Sequence, residues 1–311
     1  GITANPWVSR ERGYAQGFDA FVSRGHLDAT SLSALARTAL EELRARPTPF
    51  FLYLQYMDPH LPNEPPAELL DRFHPDGAAR RAPANPLERF VDTVVRYDAE
   101  IFALDAGFGA LRETLEELGR YDDAVVVFVS DHGEQIYDHG AYGHGHALYG
   151  EEVHVPLIVK ANGLRGVVST PVSSIDIAPT LLALAGIARD DSMQGLSLLD
   201  ERDERARRGA FSEGTMHGNQ KALAGPEGRK LILDFPEHAE ARVPARSPAN
   251  RVALLDARSE PGERRRPLDD PERAAHLDRS LRDAYARSLA RGRDVEAPEV
   301  ELDAATRAQL E

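Results

Sequence analysis

The sequence has 311 residues, is 42% hydrophobic and 28% charged, and carries a formal net charge of −14. That length can bury a sizeable core and suits one large domain with an appendage, or two domains. The negative balance argues against a nucleic-acid groove or an anionic membrane surface as partner, the lack of Cys excludes disulfides, and no stretch approaches the roughly 20 apolar residues of a membrane span.

In chain order, Ser31 to Arg46 has apolar residues near helical spacing, with Thr30 or Ser31 as N-cap and Pro47 as the stop. Phe50 to Gln55 reads as a short buried strand. Pro59 to Pro86 is Pro-rich and polar, a long excursion between elements. From Leu87 to Leu118, the apolar residues Phe90, Val94, Ile101, Leu104, Phe108, Leu111, Leu115 and Leu118 trace one helical face, which predicts one long helix or two abutting ones. Its charged side, with Glu113, Glu116 and Glu117, is expected to face water. Ala124 to Val129 is predicted as a buried strand.

Directly after that strand stands Ser130-Asp131-His132-Gly133-Glu134. A carboxylate and an imidazole thus fall at a strand's carboxyl end, the edge of an open α/β sheet where ligands and chemistry collect. Asp supplies a hard oxygen and His a borderline nitrogen, half of a metal site; the competing reading is an Asx-type turn. Residues 137–156 add four more histidines, His139, His144, His146 and His154, among glycines, which suggests a polar active-site rim. Adjacent carboxylates such as Glu151 and Glu152 more often orient a loop or face water than act as an acid/base pair. Val155 to Val159 is a further buried strand, and Asp176 to Ile187 a short helix stopping near Gly186. The charged run Asp200 to Arg208 reads as an exposed linker. Beyond it, Gly209–Glu213, Gln220–Ala224, Lys230–Phe235 and Arg251–Asp256 suggest an antiparallel meander, closed by an amphipathic helix from about Pro271 to Arg291.

Ser130 to Glu134, His144-Gly-His-Ala-Leu-Tyr-Gly-Glu-Glu152, Val155-Pro-Leu-Ile158 and Ser174-Ile-Asp-Ile-Ala-Pro-Thr-Leu-Leu182 resemble, in that order, the second half of a sulfatase, in the alkaline-phosphatase-like superfamily. Asn5 to Ser9, Gly17 to Phe21 and Phe50 to Pro62 are similar too, and Leu254 to Glu263 resembles a stretch of the family's C-terminal subdomain. The resemblance implies an α/β alkaline-phosphatase-like sandwich with a central, mostly parallel sheet. Residues 1–200 would form a partial core, and 201–311 a small subdomain of antiparallel strands and a closing helix.

The same resemblance implies roles. Asp131 and His132 match the family's second pair of metal ligands; one divalent metal is expected, Ca²⁺ by family, with Mn²⁺ or Zn²⁺ open because His132 stands where many members have Asn. His60 matches a histidine that contacts the sulfate and its leaving oxygen. His144 matches a position from which Lys or His reaches the sulfate, with His146 a close rival, whereas His139 and His154 are expected to be structural or exposed. The implied substrate is a small-molecule or glycan sulfate ester, with no nucleic-acid or membrane partner. The family's Cys- or Ser-x-Pro-x-Arg nucleophile motif does not occur in the 311 residues, so the chain is expected to be an N-terminally truncated sulfatase. The alternatives are a phosphoglycerol transferase or a phosphonate or phosphodiester hydrolase of the same superfamily, and a non-catalytic remnant or binding module.

Overall fold

A computed structural model describes residues 1–46, 48–73, 83–200, 208–214, 219–235, 250–256, 263 and 270–291. It divides into two compact units. One comprises Gly1–Val129, Gly140–Gly143 and Leu157–Arg165, the other Ser130–His139, His144–Pro156 and Gly166–Glu311.

The first unit is organised by a three-stranded parallel sheet, in which the central β1 (Ile2–Thr3) pairs with β2 (Val22–Ser23) and with β3 (Leu54–Gln55). Between β2 and β3 runs α1 (Ala29–Leu43), consistent with the crossover that parallel strands require. Its cap is Asp28, whose carboxylate accepts the N–H of Ser31 at 2.7 Å. The helix therefore starts before the Thr30 or Ser31 cap expected from its apolar spacing. Leu32, Ala36 and Leu40 recur at helical spacing and bury themselves against Ile2, Ala4 and Leu111. Removing the Leu32 side chain would cost about 2–5 kcal/mol.

The excursion after β3 contains a helix that its composition did not signal, α2 (Ala67–Phe73); residues 74–82 lie outside the described set. Then α3 (Pro86–Glu117) runs as a single helix. Asn85 caps it by accepting from the N–H of Glu88 at 3.0 Å, while Glu88 reaches back to the N–H of Ala84. The expected apolar face is buried only in part. Phe90 and Ile101 are exposed, and the buried positions are Ala99, Glu100, Gly107, Leu111 and Thr114. Gly107 shows where the partner helix begins: a Cβ there would lie 2.8 Å from the Cβ of Ala29, at the first residue of α1. The N-terminal half of α3 lies beyond that crossing and packs on α2 instead, with the rings of Phe73 and Phe102 edge-on.

After α3, β4 (Val126–Val129) pairs antiparallel with β5 (Leu157–Lys160). Phe128 meets Phe108 of α3 at 5.4 Å between centroids, so one face is covered. Val129 and Ile158 remain exposed, Ile158 at 62%, which makes these strands half-buried rather than buried. Lys160 fastens the entry to β4 by donating to the carbonyls of Tyr121, Asp122 and Ala124.

In the second unit, α4 (Gly150–Val153) is followed by a short 3₁₀ turn and α5 (Ile177–Leu184). Asp176 is fully buried at this junction, where Arg208 grips its two oxygens at 2.6 and 2.7 Å. Four strands, β6 (Ala210–Gly214), β7 (Gln220–Ala224), β8 (Arg229–Asp234) and β9 (Asn250–Asp256), form an antiparallel meander in sequential order. Alternation along the strands sends side chains to opposite faces. Leu223, Leu231, Leu233 and Leu254 pack under Leu277, Leu281 and Tyr285 of α6 (Pro271–Arg291). Ala222, Ile232, Ala253 and Leu255 face the other way, onto Leu148, Tyr149 and Val153. Among the described residues no helix is long and apolar enough to cross a membrane.

Candidate functional site

Immediately beyond β4, Ser130 donates its hydroxyl to the carbonyl of His132 at 2.5 Å, and Asp131 accepts the N–H of His132 at 3.0 Å. These local bonds make a tight turn that thrusts both side chains outward, Asp131 at 70% and His132 at 40% exposure. The ring of His132 is oriented through Nδ1, which lies 2.8 Å from the carbonyl of Gly133. A carbonyl only accepts, so Nδ1 carries the proton and Nε2 keeps its lone pair. That Nε2 stands 4.0 Å from an Asp131 oxygen.

Gly133 is required for close approach. A Cβ at this position would fall 1.9 Å from the carbonyl oxygen of Glu151, and the Gly133 N–H donates to Glu152 at 2.8 Å. Gly133 thus lies at a seam between two segments of backbone.

The histidine loop is held from the same place. Glu152, 5% exposed, aims its carboxylate at three consecutive backbone N–H groups, those of Gly145 at 2.6 Å, His146 at 3.2 Å and Ala147 at 3.0 Å. Its neighbour Glu151 pairs with Nδ1 of His139 at 2.5 Å, while the other nitrogen of that ring lies 3.2 Å from the Glu263 carbonyl. His139 also stacks on Tyr149 at 3.7 Å. With carboxylate, carbonyl and aromatic face all engaged, His139 is a packing residue. His154 ends α4 and is exposed.

The structure brings His144 to the candidate ligand His132: their rings lie 4.2 Å apart, tilted by 32°. Nδ1 of His144 is 3.1 Å from the carboxylate of Glu134, a residue to which the sequence reading gave no role. Its only sequence signal is its place as the last member of the Ser130 to Glu134 string. His146 is fixed through its backbone by Glu152 and is half-buried.

His60 belongs to the other compact unit. It is exposed, and its Nδ1 lies 2.6 Å from the Leu61 carbonyl, between two cis peptide bonds, Asp58–Pro59 and Leu61–Pro62. Buried Glu100 supports this loop from α3, accepting from the side chain of Asn63 at 2.8 Å and the N–H of Glu64 at 2.6 Å. Burial pushes the Glu100 carboxyl above its ordinary range, and the same cause raises Asp58. Asp58 Oδ2 is buried without a hydrogen-bond partner among the described residues.

Among the described residues, no group of three or more His, Cys, Asp or Glu side chains converges as a metal site. Asp131 and His132 nevertheless fit a divalent ion as two of its ligands. One offers a hard oxygen, the other an Nε2 set up by a carbonyl bond at Nδ1, the outer-shell arrangement that orients metal-binding imidazoles. A cavity of about 270 Å³ lined by Pro179, Ala183, Ile187, Arg189, Leu196, Ser197 and Asp200 contains none of the candidate residues. It lacks the histidines and strand-end carboxylate from which chemistry would be argued.

A profile of the sulfatase family matches residues 4–187, more than half of the chain. The chain belongs to the sulfatase family. An arylsulfatase of Clostridium perfringens is 28% identical over 234 residues, covering 66% of this chain and 46% of that protein. An ulvan-active sulfatase of Formosa agariphila is 29% identical over 171 residues, covering 52% and 34% respectively. The chain thus spans less than half the length of these relatives. Among solved structures, a phosphonate monoester hydrolase from Silicibacter pomeroyi superposes with a TM-score of 0.57 at 22% identity, over 85% of this chain and 60% of that one. A protein solved with its substrate D-glucosamine-2-N,6-O-disulfate gives 0.60 at 18% identity, over 89% and 72%. These likenesses carry the alkaline-phosphatase-like α/β fold. In this sulfatase-family chain, the match covers Asp131, His132, His144, His146 and His60 alike.

Proposed function

We propose that the chain carries part of the active site of a metal-dependent hydrolase of sulfate monoesters, with sulfated sugars or aryl sulfates as substrates. The carrying observation is the packing of the tilted His144 and His132 rings, beside Asp131, which supports a site that sets two candidate metal ligands next to an imidazole able to carry a proton. The arylsulfatase and ulvan-active relatives, and the aminosugar disulfate complex, support the choice of substrate. In this reading residues 1–200 supply the sulfatase-like core and 201–311 a C-terminal subdomain.

A sulfate monoester is a resonance-stabilised anion, so its hydrolysis needs charge neutralised at the sulfate oxygens and a proton for the departing alkoxide. Asp131 and His132 Nε2 would hold a divalent ion, Ca²⁺ by family and Mn²⁺ or Zn²⁺ by the imidazole, which supplies polarisation of the ester when bound. His144, His146 and His60 are the groups to bind the sulfate or hand the proton to its leaving oxygen. The 311 residues contain no Cys and no Ser-x-Pro-x-Arg string, so this chain by itself is expected to turn over neither an aryl sulfate nor an aryl phosphate with Ca²⁺, Mn²⁺ or Zn²⁺. Multiple turnovers abolished by Asp131→Asn would refute that expectation.

The test of the site is metal retention. Asp131→Asn and His132→Ala, in the protein purified from its own host, should lower both metal content after dialysis and aryl sulfatase activity. Unchanged metal in both variants would return the pair to a turn. A second reading, phosphonate or phosphodiester hydrolysis, is favoured by His132 in place of the Asn of many sulfatases. A higher kcat/KM for an aryl phosphonate than for the matching aryl sulfate would select it.

A further inference from the structure

Glu134 has a buried carboxylate that neither cation binding nor proton donation has used. Its side chain is 6% exposed, and its Oε1 lies 3.1 Å from Nδ1 of His144. A carboxylate withdrawn from water is costly unless it is hydrogen-bonded, so the contact with His144 contributes to keeping it there. An ionised carboxylate only accepts, which places the proton on Nδ1 of that ring. From another side His144 packs on His132, whose own Nδ1 is turned to the Gly133 carbonyl. Both rings are therefore anchored through the same kind of nitrogen.

We infer that Glu134 is the positioning residue of His144, holding the ring in one orientation with its Nδ1 proton directed at the carboxylate, so that Nε2 is the nitrogen that meets the substrate and donates to it when the ring is protonated at both nitrogens. The substrate half of this statement rests on the sulfatase reading above; the tautomer half does not. In water, neutral histidine favours the proton on Nε2, so a His144 protonated on Nδ1 is a state that its surroundings must impose. Which ring nitrogen carries the proton is set by the hydrogen bond of the other, a generality of histidine sites.

The experiment is long-range ¹H–¹⁵N correlation on the 311-residue chain with labelled histidine, in weakly alkaline buffer, with His144 assigned by its loss in His144→Gln. The expected wild-type pattern is Nδ1 protonated and Nε2 bare. Glu134→Leu should move the proton to Nε2 of His144 while the His139 signal stays. A wild-type His144 protonated on Nε2 overturns the inference, and that result needs no variant to fold. So does an unchanged His144 pattern in folded Glu134→Leu. In the host-purified protein, Glu134→Gln added to His144→Ala should cause no further loss of kcat, because both changes remove one unit. Multiplicative losses overturn the positioning role. A His144→Ala protein with full activity would defeat the sulfatase-site reading instead, and the ring pattern would still decide what Glu134 does.

Discussion

Glu152 reaches back from α4 to Gly145, accepting its backbone N–H at 2.6 Å and closing the histidine loop on itself. The same carboxylate serves the next two N–H groups, so a single buried side chain sets the path of residues 145–147. Glu152→Ala leaves these donors without their acceptor, and should lower stability by roughly 1–3 kcal/mol. Faster hydrogen exchange at Gly145, His146 and Ala147 than at β8 would locate the loss; uniform acceleration would argue against a local role.

Gly133→Ala should be worse than its size suggests. The added methyl would sit 1.9 Å from the Glu151 carbonyl, so backbone must move, and overpacking of this kind typically costs about 1–3 kcal/mol. The shift would part the Asp131–His132 turn from the loop. Loss of the His132–His144 ring contact, read from their proton shifts, is the expected signature.

Glu100 predicts a pH dependence. Burial raises its folded pKa above the ordinary 4.5, so the folded chain binds this proton more tightly than the unfolded one. Its contribution is fully present below that ordinary value and is lost as pH rises through the folded pKa. Glu100→Gln removes this term, although raised Asp58 keeps the same sign in the variant. The stability of wild type relative to Glu100→Gln, from urea unfolding, should therefore fall between acid and neutral pH. A relative stability that rises over that range would contradict the assignment.

A proton donor matters only as much as its leaving group needs a proton. In the host-purified protein, His60→Ala or His144→Ala should slow an alkyl sulfate far more than a nitrophenyl sulfate if that residue is the acid, by up to about 10²–10⁴-fold. A residue that only binds sulfate would slow both alike. Equal losses across a leaving-group series for both variants would refute the acid role.

The parts of the fold with a local signal were legible in the sequence. Gln220 to Ala224 is the expected strand, although three successive residues of it are buried, and Pro271 to Arg291 forms the expected closing helix. The stripe on α3 was legible as helix but not as buried surface, because periodicity says which residues share a face and not how far the neighbour extends. Phe90 and Ile101 share the face and miss the neighbour. The site divides in the same way. Asp131 and His132 announce themselves at a strand end, whereas Glu134 acquires its meaning from His144, ten residues on, across a turn that no local rule specifies. Gly133 was visible as a glycine, but its reason lies in Glu151, which no short-range pattern connects to it.

The C-terminal sheet has two working faces, and only one belongs to α6. Ala222, Ile232, Ala253 and Leu255 press upon Leu148, Tyr149 and Val153, in the segment that carries Glu151 and Glu152. The family match ends at residue 187, before any of those strands begins. A fragment cut to the matched residues would keep every motif histidine and lose the floor beneath them. The matched part of this chain is therefore not a separable part: its histidine loop takes its footing from strands that lie beyond the match.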